Sequence, residues 1–151
     1  MKIGKYFTRQ ELERSDMAKR LGIQNIASPE IIENAKLLTA NLLDPLREFW
    51  GPIHISSWYR CPNLNLAVKG SDKSHHMSGF AVDIDHDHIH PDENAEIFKV
   101  IKDNFEFNTL IWEFGNSKRP DWIHVSWLPN NNPKNVLIAF RVNGKVVYVK
   151  Y

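Results

Sequence analysis

The apolar pattern of this chain changes period once, at Gly51-Pro52, and that change constrains the fold more than any other feature. Before it, Ile31, Ile32, Ala35, Leu38, Leu42 and Leu46 recur at helical spacing. Ser28 followed by Pro29 signals the start of this helix, which runs to about Trp50 with Pro45 expected to bend or break it. An earlier helix is signalled by Thr8 with Glu11 as its capping-box partner, by Leu12, Met17 and Leu21 on one face, and by Gly22 at its end. After Pro52 the apolar runs are short and extended: Ile53 to Ser57, Phe80 to Ile84, Thr109 to Phe114, Trp122 to Trp127, Val136 to Val142 and Lys145 to Val149. One or two helical turns fit between Pro62 and Val68, and a further helix opens at Pro91 or Asp92 and runs to about Lys102. Asn143-Gly144 marks a two-residue hairpin turn. Helices first and strands after them predict an α+β domain, its N-terminal helices packed on one mostly antiparallel sheet.

Composition excludes several classes. The 151 residues suffice for one domain, residues 1–151, with an ordinary apolar core. Cys61 is the only cysteine, so neither an internal disulfide nor a cysteine-rich zinc finger is available. No nearby base is indicated for it, so it reads as a free thiol and not a nucleophile. Nineteen basic residues against eighteen acidic ones give a net charge of +1, which offers no global pull towards nucleic acid or an anionic membrane. No apolar run approaches the roughly 18 residues of a membrane span, and the start Met1-Lys2-Ile3-Gly4-Lys5 lacks a signal-peptide core. The expectation is a cytoplasmic monomer with neither nucleic acid nor membrane as partner.

Seven histidines are present, and context separates them. His76 stands just before the run from Phe80, and Asp83 lies near that run's end. In Asp121-Trp122-Ile123-His124-Val125-Ser126, alternation puts Trp122, His124 and Ser126 on one face and Ile123 and Val125 on the other. The plain reading is a turn, a buried strand and a hydrogen-bonded strand histidine. The sharper one is a catalytic zinc site, which needs three ligands, an open position and a base near its water. His76, Asp83 and His124 with Asp121 would supply that set. Arg60, after one strand and before a turn, could hold a carboxylate or polarise a carbonyl.

Three motifs occur in order: S-x-Y-R-x-P-x-L-N at Ser57 to Asn65, S-x-H-x-x-G-x-A-x-D at Ser74 to Asp83, and D-W-I-H-V at Asp121 to Val125. They are joined by Phe7-Thr8-Arg9-Gln10-Glu11-Leu12, Leu21-Gly22-Ile23-Gln24-Asn25 and Leu43-Asp44-Pro45-Leu46-Arg47. From Tyr6 to Trp127 the chain resembles the M15 family of zinc D-alanyl-D-alanine carboxypeptidases and related phage endolysins, and is most similar to its small single-domain members.

The resemblance implies a mononuclear zinc held by His76, Asp83 and His124. It implies Asp121 as general base, Arg60 as the arginine that contacts substrate beside the metal, and Ser74 as a residue that orients a ligand or binds substrate. His75 falls at a variable position. The implied substrate is the stem peptide of peptidoglycan, reached through lysis if the protein is a phage lysin. Two positions depart from the family. Trp58 replaces a glycine and is expected to narrow the cleft or alter substrate choice, and Cys61 replaces a small polar residue. Asp85-His86-Asp87-His88-Ile89-His90 reads as a solvated loop. The rival readings are an inactive zinc-stabilised binding module and a metal-free phage structural protein. Arg60 with Asp121 argues for the enzyme, since a purely structural zinc site needs neither.

Overall fold

In the computed structural model, which describes all 151 residues, the N-terminal part folds as short helices with the caps its sequence carries. Thr8 accepts from the Glu11 N–H while the Glu11 carboxylate accepts from the Thr8 N–H, closing the capping box of α1 (Arg9–Glu13). The expected single helix to Leu21 is two. Ser15 caps a separate α2 (Asp16–Leu21), which ends on Gly22 in the left-handed conformation. Ser28 caps α3 (Pro29–Leu38).

Pro45 does not break the long helical segment. A π-helical turn, Thr39–Leu43, precedes α4 (Asp44–Trp50), with the Asp44 N–H reaching back to the Thr39 carbonyl. A proline inside a helix lacks an N–H and crowds the carbonyl four residues before it. One wide turn ahead of Pro45 absorbs both defects. Asp44 also accepts from the backbone N–H of Lys5 at 2.8 Å, tying the N-terminal segment to α4.

The remaining elements are β1 (Ile55–Ser57), α5 (Pro62–Ala67), a 3-10 turn (His75–Ser78), β2 (Ala81–Ile84), α6 (Glu93–Asn104), β3 (Thr109–Glu113), β4 (Trp122–Ser126), β5 (Asn135–Val142) and β6 (Lys145–Lys150). They form one sheet in the order β1-β2-β4-β3-β5-β6. All pairs are antiparallel except β3 with β5. The fold is therefore α+β with a mostly antiparallel sheet. Asn143 and Gly144 both have positive φ, as a two-residue hairpin turn of this hand requires.

Alternation gives the sheet two different faces. Val82, Ile84, Leu110, Trp112, Ile123 and Val125 are buried in the core with Leu38, Leu42 and Leu46 of the long helical segment and Ile97, Phe98 and Ile101 of α6. Each fully buried side chain of this size contributes roughly 1.5–3 kcal/mol. The other face carries Asp83 on β2, Trp122, His124 and Ser126 on β4, and Thr109, Ile111 and Glu113 on β3, all lining one cleft. No helix is long and apolar enough to cross a membrane.

Candidate metal centre

Asp83 and His124 are direct cross-strand partners on β2 and β4, so the sheet register alone puts their side chains together. His76 arrives from the 3-10 turn before β2. Ser74 caps that turn by accepting from the His76 N–H at 3.3 Å. Gly79 ends it with φ of +80°, a conformation that favours glycine, and an added Cβ would crowd the Ile31 carbonyl oxygen at 3.1 Å.

The three side chains converge. His76 Nε2 lies 3.2 Å and His124 Nδ1 3.1 Å from the same oxygen, Asp83 Oδ1. They form the one group of three His, Cys, Asp or Glu side chains whose ligand atoms all fall within 4.8 Å of one another. The His76 Nδ1–H donates to the Trp58 carbonyl at 2.6 Å, which leaves Nε2 facing Asp83. Burial pushes the His76 imidazole down, against the pull of Asp83. Burial alone would raise the Asp83 carboxyl, but the two facing imidazoles outweigh it and hold the group well below the usual carboxylate range. Two imidazole nitrogens and a carboxylate oxygen, with one side open to a cleft of about 280 Å³, fit the donor set of a catalytic zinc.

Arg60 and Ser74 line the same cleft. The Arg60 guanidinium lies 3.6 Å from Asp83 Oδ2 and donates to Asn65 Oδ1 at 3.3 Å. Asn65 in turn donates to the Ser71 carbonyl, so the last residue of the arginine motif carries both Arg60 and the loop beside it. Gly70 passes close over this pair: a Cβ there would stand 2.1 Å from Asn65 Oδ1. Asn25 clamps the same segment from below, donating to the Glu13 and Tyr59 carbonyls and accepting from the Cys61 N–H.

Two residues expected at the cleft lie outside its lining. Asp121 is exposed and does not line this cleft. Its N–H donates to the Glu113 carbonyl and its carbonyl accepts from Asn94 Nδ2, which pins the backbone at the start of β4. Asp121 lines a neighbouring hollow with Phe114, Phe140 and Arg141, which shares Trp122 with the cleft. Asp121 lies just before β4, so the alternation of that strand does not carry it into the row of His124. Trp58 does not narrow the cleft either. It is fully buried, packs edge-on against Phe7, and donates from its indole nitrogen to the Gly79 carbonyl at 3.0 Å.

The acid that does face the cleft is Glu113, which the motifs do not mark. Glu113 pairs with Trp122 across β3 and β4, one step along the face from the Ile111–His124 pair. It is only 7% exposed, and burial pushes its carboxyl up to about 7, with Asp83 adding and His124 and Arg60 opposing. A lone glutamate closing the alternating run Thr109, Ile111, Glu113 was the available signal.

The Asp85–His90 run makes no second centre of this kind. His86 is buried against Glu93, and the rings of His54 and His88 meet edge-on at 4.9 Å. Cys61 is a half-buried free thiol.

The Peptidase M15 family model matches residues 5–126 of this chain, which therefore belongs to the M15 peptidase family. No curated protein matches the chain. Membership makes it a peptidase of the metal-dependent kind, and His76, Asp83 and His124 form its possible metal-binding group.

Proposed function

We propose that the protein is a zinc-dependent peptidase acting on the stem peptides of peptidoglycan, with His76, Asp83 and His124 as zinc ligands. The observation that carries this reading is the convergence of His76 Nε2 and His124 Nδ1 on Asp83 Oδ1, in a chain of the M15 family and on the floor of an open cleft. Zinc in such a site polarises a scissile carbonyl and acidifies water. The chain's own groups would do the rest. Arg60 is positioned to neutralise charge developing on the carbonyl oxygen. Glu113, and not Asp121, is our candidate base: it accepts the proton of the attacking water and returns it to the amine nitrogen as the C–N bond breaks. Burial raises this carboxyl above the ordinary range in the metal-free protein, and a bound zinc would bring it back down.

Elemental analysis of untagged protein, paired with mass spectrometry of digested muropeptides, tests this. About one zinc per chain and zinc-dependent release of D-alanine or of a longer peptide is the expected result, and the product identifies carboxypeptidase or endopeptidase action. Zinc binding without hydrolysis of any muropeptide would instead favour the inactive binding module.

A further inference from the structure

The family match ends at residue 126, yet the sheet continues for two strands beyond it. Those strands reach back to the site. Glu113 on β3 is in register with Ala139 on β5, and Ala139 with Tyr148 on β6. Residues in register share a face, so Trp122, Glu113, Ala139 and Tyr148 form one row across the cleft side of the sheet. Two strand spacings, roughly 10 Å, separate the backbones of Tyr148 and Glu113. Ala139, fully buried between them, is small enough for a tyrosine ring to lie across it.

Tyr148 lines the same cleft as His76, Asp83 and His124. The residue is 54% exposed, which makes it a rim residue and not part of the core. Burial of the hydroxyl, with Glu113 and Asp83, pushes its pKa up against the opposing effect of Arg60, so the phenol keeps its proton. Those three groups act on it through charge and not through a hydrogen bond, which leaves the O–H available to a ligand. Arg60 enters from the β1 end of the sheet and Tyr148 from the β6 end.

We propose that Tyr148 is a substrate-contacting residue, supplied by the C-terminal hairpin, whose hydroxyl donates to an oxygen of the bound peptide from the side opposite Arg60. This rests on the peptidase reading. The test is steady-state hydrolysis of muropeptides by the full-length, zinc-loaded protein, comparing wild type, Tyr148→Phe and Tyr151→Phe. Tyr151 packs against Phe98 and Trp112 on the core side and serves as the control. Tyr148→Phe should lower kcat/KM about tenfold, with zinc content and Tm unchanged and Tyr151→Phe at wild-type rate. A loss in KM places the contact in the bound ground state and a loss in kcat places it in the transition state; either supports the proposal. Unchanged kcat/KM in Tyr148→Phe, with an active wild type, overturns it and leaves the peptidase reading standing. A loss of rate that tracks a fall in Tm also overturns it, since the tyrosine would then act only through the fold. A wild type that hydrolyses no muropeptide overturns both.

Discussion

The His76 Nδ1–H donates to the carbonyl oxygen of Trp58 at 2.6 Å, and this bond commits the other ring nitrogen to the cleft. Trp58 is held in turn by its indole N–H on the Gly79 carbonyl, three residues after His76. The tryptophan thus braces the turn that carries a ligand from both sides. Trp58→Phe keeps the backbone carbonyl but removes the indole bond and leaves the Gly79 carbonyl unpaired. Thermal unfolding should show a loss of about 1–3 kcal/mol. Competition against a zinc chelator should show affinity weakened about tenfold or more. Unchanged zinc affinity would mean that His76 is oriented without this brace.

The two acids near β4 are separated by isosteric substitution. Glu113→Gln should keep zinc at wild-type stoichiometry and lower kcat by at least about 10²-fold. Asp121→Asn should stay within about threefold of wild type, because Asp121 is exposed and does not line this cleft. The reverse pattern would restore Asp121 as the base and require the start of β4 to turn over on binding substrate.

The sheet and helices were legible because they rest on local signals. The capping box at Thr8, the cap at Ser28 and the Asn143-Gly144 turn act over a few residues, and the alternation of Trp122 to Ser126 names its own buried face. The grouping of His76, Asp83 and His124 was legible through motif order, and the register of β2 with β4 supplies its physical cause. Glu113 carries only the weak signal of its place in an alternating run, because it reaches the site through pairing of β3 with β4, a contact between separate segments of the chain. Asp121 is marked by motif spacing alone, and the fold leaves it outside the cleft lining. Trp58 misled because a large residue beside a motif can turn inward, and here the pocket formed by Phe7 and Gly79 takes it.

Asp83 should matter to the fold as well as to metal binding. It faces His76, His124 and the half-buried guanidinium of Arg60. Removing one partner of a buried charged group leaves the other uncompensated, at a cost of about 3–5 kcal/mol. Asp83→Asn should lose zinc, measured by elemental analysis, and should lower the denaturant midpoint of the metal-free protein. A variant that loses zinc at unchanged metal-free stability would show that Arg60 finds another partner.

Glu113 gives the metal-free protein a pH dependence of known sign. Its carboxyl is raised from the ordinary 4.5 to about 7 in the folded state, chiefly by burial. The fold therefore favours the protonated form. The group's contribution to stability is complete below about pH 4.5 and is lost as the pH rises through 7. A shift of this size corresponds to about 3 kcal/mol at most. Other groups titrate over the same range, so the informative quantity is the difference between wild type and Glu113→Gln, which cannot ionise. In urea unfolding of chelator-treated protein, the variant should gain on wild type between about pH 4.5 and 7, the gap levelling off above 7 and closing below about pH 4.5. Bound zinc favours the carboxylate through its charge, so the same comparison on loaded protein should be flatter. A gap that stays constant with pH would mean that Glu113 is ionised throughout.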